Sequence, residues 1–254
     1  MTTHQKPAII YFTLLFVFAA TLAIDCEEND SFTKNYLGSR GVSEKFPRIG
    51  SGSSSIAYKV TWKNAPAKFE GDVVVKYNWK ISDLDFEKET SLMTEVQNAY
   101  KTEKVIPELH GCFFRMAKRY SYEVKEYFLV IDYVKYAINP EHAPKTEEED
   151  QVKNANYYTF IKLPVSERLE IYAKLAERLH QLHAIGIAHQ DFHDRNFLMD
   201  KISGDGNVFL IDFGRSQKFT NNPKANSIEN VEGNRLIVRI QKTFLWKMIS
   251  KVSL

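Results

Sequence analysis

The sequence predicts an α+β protein of two lobes, a strand-rich N-terminal half with one helix followed by a short, mainly helical C-terminal half. Three observations predict it. Apolar, β-branched runs alternate with Gly/Ser turns from Phe46 to Trp79, and an amphipathic stretch follows at 82–104. The segment "NPEHAPKTEEEDQ" (139–151), with two prolines and an acidic run, reads as an exposed connection. Beyond it "SERLEIYAKLAERLHQLHAIG" (166–186) is the strongest helical pattern in the chain. With 254 residues, 44% hydrophobic and 13% aromatic, the chain can bury a core of this size. A formal charge of +2 argues against a dedicated nucleic-acid binder, which would carry a basic stripe.

The N-terminus differs in kind from the rest. Lys6 precedes "AIIYFTLLFVFAATLAI" (8–24), so residues 1–23 read as a secretory signal peptide cut near Ala23. The alternative is a membrane anchor, although the run falls short of the roughly 20 apolar residues that span a bilayer. Membrane contact is expected only through this segment left uncleaved, and the mature chain is expected to be secreted or held in the ER–Golgi lumen. Residues 24–43 form a polar leader, and 44–254 the folded domain, divided near 134 into N-lobe and C-lobe. Cys26 and Cys112 are the two cysteines, and in an oxidising compartment they could pair. Asn29-Asp30-Ser31 is a glycosylation sequon.

Within the domain, "FPRIGSGSSSIAYKVTW" (46–62) reads as strand, turn and strand, and "DVVVKYNW" (72–79) as a third strand. The helix at 82–104 has Ser82 or Asp83 as its cap and an apolar stripe of Leu92, Val96, Ala99 and Tyr100. "EYFLVIDYV" (126–134) is another buried strand. In the C-terminal helix Ser166 can cap, Leu169, Tyr172, Ala176, Leu179 and His183 share a face, and Gly186 sits where the helix ends. "FLMD" and "VFLI", joined by "SGDGN", predict a hairpin that runs into Asp212-Phe213-Gly214. The tail "GNRLIVRIQKTFLWKMISKV" (233–252) places Ile237, Ile240, Phe244 and Met248 at helical spacing. It is expected to pack on the C-lobe, with a membrane-surface helix as the alternative.

The chemistry concentrates in "IAHQDFHDRN" (187–196), which sets His189, Asp191 and Asn196 in the order H-x-D-x-x-x-x-N. An aspartate there can steer a hydroxyl, and an asparagine can hold a metal ion. The turn Gly50-Ser51-Gly52 lets backbone N–H groups close over phosphates, though such a turn is also an ordinary hairpin. Lys76 ends a run of three valines, as an edge charge or as an ammonium aimed at phosphate. Glu95 lies beside the helix stripe, where it could reach back to Lys76, and Glu87 and Glu89 compete for that role. Asp212 could coordinate Mg²⁺ with Asn196 as a second oxygen ligand.

Taken together, the succession resembles the protein-kinase family over about 46–245. "IGSGSSSIAYKV" is similar to the glycine-rich loop, "VVVK" to the strand carrying the nucleotide lysine, "FLVIDYV" to the hinge strand, "HQDFHDRNFL" to the catalytic loop and "IDFG" to the DFG motif. The resemblance implies ATP and Mg²⁺. Asp191 would accept the proton of the attacking hydroxyl, Asn196 and Asp212 would hold the metal, and Lys76, braced by Glu95, would contact the phosphates. Gly50, Ser51 and Gly52 would cover them. The adenine would lie between Ile49, Ala57 and Val74 above and Leu198 below, against hinge backbone at Asp132 to Val134. His189 would brace the loop. The acceptor expected is a Ser/Thr hydroxyl on a protein.

Departures temper the resemblance. Ser55 stands for the third glycine, and Gln190 for the arginine that commonly receives an activation-loop phosphate. His193 stands where Ser/Thr protein kinases usually carry lysine, a pattern more similar to the small-molecule phosphotransferases, such as the aminoglycoside and choline kinases, and to some atypical protein kinases. No A-P-E sequence follows the DFG motif, so the C-lobe is expected to be minimal and a protein partner could complete it. The alternatives are a secreted pseudokinase acting as a binding or decoy module, and a small-molecule phosphotransferase.

Overall fold

The computed structural model describes residues 26–28, 37–38, 41–42, 46–51, 55–62, 71–119, 121–137, 160, 162–219 and 232. The signal peptide, most of the leader, Gly52, the connection at 139–151 and the tail helix lie outside them.

The N-terminal half is a six-stranded sheet built from β1 (Glu27–Glu28), β4 (Arg48–Ser51), β5 (Ser55–Trp62), β6 (Gly71–Asn78), β7 (Leu109–Arg119) and β8 (Tyr122–Asp132). Its order is β1-β7-β8-β6-β5-β4, and every pairing is antiparallel except that of β1 with β7. Two short strands, β2 (Leu37–Gly38) and β3 (Gly41–Val42), pair antiparallel ahead of β4. Period-two alternation divides the sheet into two faces. On one, Val60, Val73, Val75, Tyr77, Phe128 and Val130 form a closed apolar cluster. The other carries the row Gly50–Ala57–Lys76–Leu129–Cys112, each residue paired across to the next. β7 is missing from the sequence reading because its outer half, "FRMAKR", is too basic to read as a strand.

Helix α1 (Asp83–Ala99) packs beneath that second face. Ser82 caps it, its hydroxyl accepting from the Asp85 N–H at 3.1 Å. Phe86, Leu92, Met93 and Val96 are buried, and Phe86 stacks on Tyr127 with ring centroids 4.3 Å apart. Burying a side chain of this class contributes about 1.5–3 kcal/mol.

In the C-terminal half, α2 (Val165–Ala184) follows Pro164, which occupies the cap with no side-chain hydrogen bond, so Ser166 does not cap it. The buried face is centred on Ile171, Leu175, Leu179 and Leu182. The expected stripe is therefore rotated: Leu169 is half-buried and Ala176 exposed, because Arg178 and Gln181 take inward positions that hydropathy assigns to solvent. Gly186 reverses the chain at φ +74°, its N–H donating to the His183 carbonyl. There follow β10 (Ile187–Ala188), β11 (Phe197–Met199), β12 (Val208–Leu210) and β13 (Gln217–Lys218). β11 pairs on one side with β12 and on the other with β9 (Tyr136–Ala137), the strand just past the hinge. β10 pairs with β13.

One core joins the two halves. Phe86, Val96, Leu109 and Cys112 share a cluster with Leu175, Leu182, Phe192, Phe197 and Phe213. Cys112, 2% exposed within it, forms a disulfide with Cys26 at a Cα–Cα separation of 4.8 Å.

Candidate active site

The site lies between the sheet face that carries Lys76 and the loops at the end of the β11–β12 hairpin. Lys76 reaches two carboxylates from separate elements, Glu89 Oε1 of α1 at 2.7 Å and Asp212 Oδ1 at 3.0 Å. Burial works against the ammonium, but the two carboxylates more than reverse it and hold its pKa above the ordinary lysine range. Burial would raise the Asp212 carboxyl, and the Lys76 charge overrides this and draws it below the usual carboxylate range. Glu89 is 1% exposed, a buried acid that persists because it is paired.

Glu95 does not brace Lys76. Six residues past Glu89, it is turned about 240° around the helix. It instead pairs with Lys218 of β13 at 2.6 Å. Glu87, the other competitor, is exposed. The two acids therefore predict different outcomes. Glu89→Gln is expected to weaken nucleotide binding by about 10–100-fold, the worth of a buried charged hydrogen bond of about 1.5–3 kcal/mol. Glu95→Gln is expected to change it by no more than about threefold, because its half-exposed pair with Lys218 does not touch Lys76. Titrating both variants with Mg·ATP checks this; equal losses would show that the charge of α1 matters and not the contact.

Below Lys76, the hairpin brings two metal-type donors together. Leu210 pairs with Phe197, and the Ile211 N–H donates to the Asn196 carbonyl at 3.0 Å, so Asp212 emerges beside Asn196. Asp212 adopts a left-handed backbone at φ +66° as the chain turns into the 3₁₀ segment Phe213–Arg215. The Asn196 amide N donates to the Asp191 carbonyl at 2.9 Å and to Asp191 Oδ2 at 3.2 Å. That occupies the amide nitrogen and leaves the amide oxygen as the atom able to act as a metal ligand. One carboxylate and one amide oxygen are hard ligands of the kind that hold Mg²⁺ together with substrate phosphates, so the residues present fit that ion.

His189 is the buried hub. Its Nδ1 accepts from the Asp191 N–H at 3.3 Å, so Nε2 carries the proton and donates to the Ile211 carbonyl at 3.0 Å. One ring thus ties the loop bearing Asp191 to the strand end bearing Asp212. Burial lowers its pKa below 6.5, against the opposing pull of Glu232, Asp212 and Asp191. The neutral ring's contribution to stability is complete above the unfolded value of about 6.5 and declines as pH falls from there toward the folded pKa. Urea midpoints are therefore expected to drop more between pH 7.5 and 5.5 in the wild type than in His189→Gln. Parallel curves would remove the assignment.

The remaining predicted positions fall around this centre. Gly50 faces Ala57, which faces Lys76, while Ser51 and Ile49 are exposed at the mouth. Val74 is buried on the same face as Lys76, and Leu198 is half-buried beside β9. Asp132 turns away: its carboxylate bonds His110 Nε2 at 2.7 Å and its N–H the Glu108 carbonyl at 3.0 Å.

Glu232 is a residue the sequence reading missed. It is 1% exposed and receives the Gln190 N–H and His183 Nε2, the latter at 2.7 Å. Gln190 is held left-handed at φ +59°, so this carboxylate secures a strained residue next to Asp191. No local motif marks it, and its burial appears only in three dimensions.

Residues 151–235, which carry Asp191, Asn196 and Asp212, match the model of the lipopolysaccharide kinase (Kdo/WaaP) family. Over these residues the sequence is similar to the protein kinase-like superfamily. A 56-residue stretch of the chain is 39% identical to the serine/threonine-protein kinase AtPK1/AtPK6 of Arabidopsis thaliana, covering 22% of this chain and 11% of that protein. The chain thus spans about a tenth of the length of that curated relative. Its α+β architecture agrees with the fold class expected from sequence, with the strand-rich half preceding the helical one.

Proposed function

We propose that the chain is an ATP-dependent phosphotransferase that moves the γ-phosphoryl group to a hydroxyl acceptor in the secretory lumen or outside the cell. The observation that carries the reading is Lys76 held between Glu89 and Asp212, with Asp191 joined to the same centre through His189 and Asn196 through Asp191 and the Ile211 N–H. A resting lysine with two carboxylate partners is positioned to meet phosphate oxygens without reorganising. Mg²⁺, when bound, would neutralise charge on the phosphates. Asn196 and Asp212 would hold it, and Gly50 and Ser51 would lie over the phosphates. Asp191 would orient the acceptor hydroxyl and take its proton. The acceptor oxygen bonds to the γ-phosphorus as the bond to the β–γ bridging oxygen breaks, and that oxygen keeps the electron pair. The apolar run at 8–24 and the Cys26–Cys112 disulfide support an oxidising destination.

The sequence favours a protein Ser/Thr hydroxyl as acceptor. A second reading, a sugar hydroxyl, is favoured by the family match at 151–235 and by His193 beside Asp191. Incubating the oxidised protein with Mg²⁺ and γ-labelled ATP, with protein acceptors in one arm and saccharides in the other, tests both. Label on either, lost in Asp191→Ala, supports the function and identifies the acceptor. ATP binding without transfer to any acceptor would favour a pseudokinase.

A further inference from the structure

Asp191 presents two carboxylate oxygens, and both have partners. Oδ2 accepts from the Asn196 amide at 3.2 Å, with His193 Nε2 at 3.6 Å. Oδ1 accepts from Arg215 Nη1 at 3.3 Å. The two sides differ in how readily they can let go. Asn196 is 5% exposed and is also pinned to the Asp191 carbonyl, whereas the Arg215 side chain is 75% exposed and has Asp191 as its ion-pair partner. Oδ1 is therefore the oxygen more readily opened to a hydroxyl that approaches Asp191 to lose its proton, and Arg215 is the partner such a hydroxyl displaces.

The displaced guanidinium then sits within a side chain's length of the acceptor, always charged, with five N–H donors. An acceptor with a carboxylate or phosphate beside its reacting hydroxyl would offer it a bidentate partner, and a neutral acceptor would leave it to water. Resting on the phosphotransferase reading above, we propose that Arg215, with His193 beside it, selects acceptors that carry an anionic group next to the hydroxyl to be phosphorylated. The guanidinium exchanges one anion, Asp191, for another on the acceptor. Because Arg215 is exposed, this preference weakens as ionic strength rises.

The test uses acceptors matched except in charge, at low salt. A serine peptide flanked by aspartates is set against the same peptide flanked by asparagines, and glucuronate against glucose. Label transfer from γ-labelled ATP is measured as kcat/KM for each member with the wild type, Arg215→Lys and Arg215→Glu. The wild type is expected to prefer the anionic member of whichever pair it phosphorylates by about tenfold, equivalent to about 1.4 kcal/mol. Arg215→Lys retains part of that preference and Arg215→Glu inverts it; the pair that responds tells a protein acceptor from a sugar. Transfer with no charge preference in the wild type overturns the inference alone. So does an Arg215→Glu variant that slows both members of a pair equally, since Arg215 would then serve the phosphoryl group itself. No label on any acceptor, with Mg·ATP bound, overturns the phosphotransferase reading and this inference together.

Discussion

Asp191→Asn is expected to lower the rate of phosphoryl transfer by about 10²–10⁴-fold, the range lost when a positioned general base is removed. The loop should survive the change. The Asn196 amide keeps its bond to the residue 191 carbonyl at 2.9 Å, and His189 keeps the backbone N–H at 3.3 Å. Mg·ATP binding, which on the proposed function would rest on Lys76, Asn196 and Asp212, should therefore persist. Lys76→Met is the contrasting variant. It leaves Glu89 buried without its cation and should weaken nucleotide binding itself, with a loss of stability as well. Single-turnover transfer and a nucleotide-dependent thermal shift, measured on both variants, separate the roles. An Asp191→Asn enzyme retaining more than about a tenth of the wild-type rate would mean that the proton goes elsewhere.

Reduction of the Cys26–Cys112 bond should produce the largest change in stability. The bridge closes a sequence separation of 86 residues, for which the chain-entropy account gives about 4–5 kcal/mol. The two cysteines are not equivalent. Cys112 belongs to the core that includes Val96, Leu109 and Leu129, whereas Cys26 lies partly buried at its margin. Cys112→Ser should therefore cost about 1–3 kcal/mol more than Cys26→Ser, because it adds a desolvated hydroxyl to the lost bridge. Urea unfolding of both variants and of the reduced wild type checks this. Equal midpoints for oxidised and reduced protein would show that the loop closure contributes nothing.

The legible parts of the fold were those written in short-range pattern. Valine runs, Gly/Ser turns and the Ser82 cap placed β5, β6 and α1, and "IDFG" placed the strand end at Asp212. What escaped was set by rotation and by distance. The stripe of Leu92 and Val96 shows that α1 has a buried face, but not which of three glutamates points at Lys76. A buried acid such as Glu89 looks, by hydropathy, like surface. Arg178 and Gln181 hid the true face of α2 in the same way. Glu232 lies 42 residues from Gln190, and no periodicity connects them. The partners of Asp132 and Arg215 were equally out of reach, since each depends on where a side chain turns after its backbone is placed.

The short parallel strand Glu27–Glu28 occupies the margin of the sheet, alongside Phe113 and Phe114 of β7. An uncovered strand margin offers N–H and C=O groups to any other chain. Two residues tethered by a covalent bond at Cys26 are enough to deny part of that offer, and an unfastened leader would give it back. Solution behaviour is thereby coupled to redox state: the oxidised protein should stay dispersed on concentration, and the reduced protein should self-associate through β7 before it unfolds.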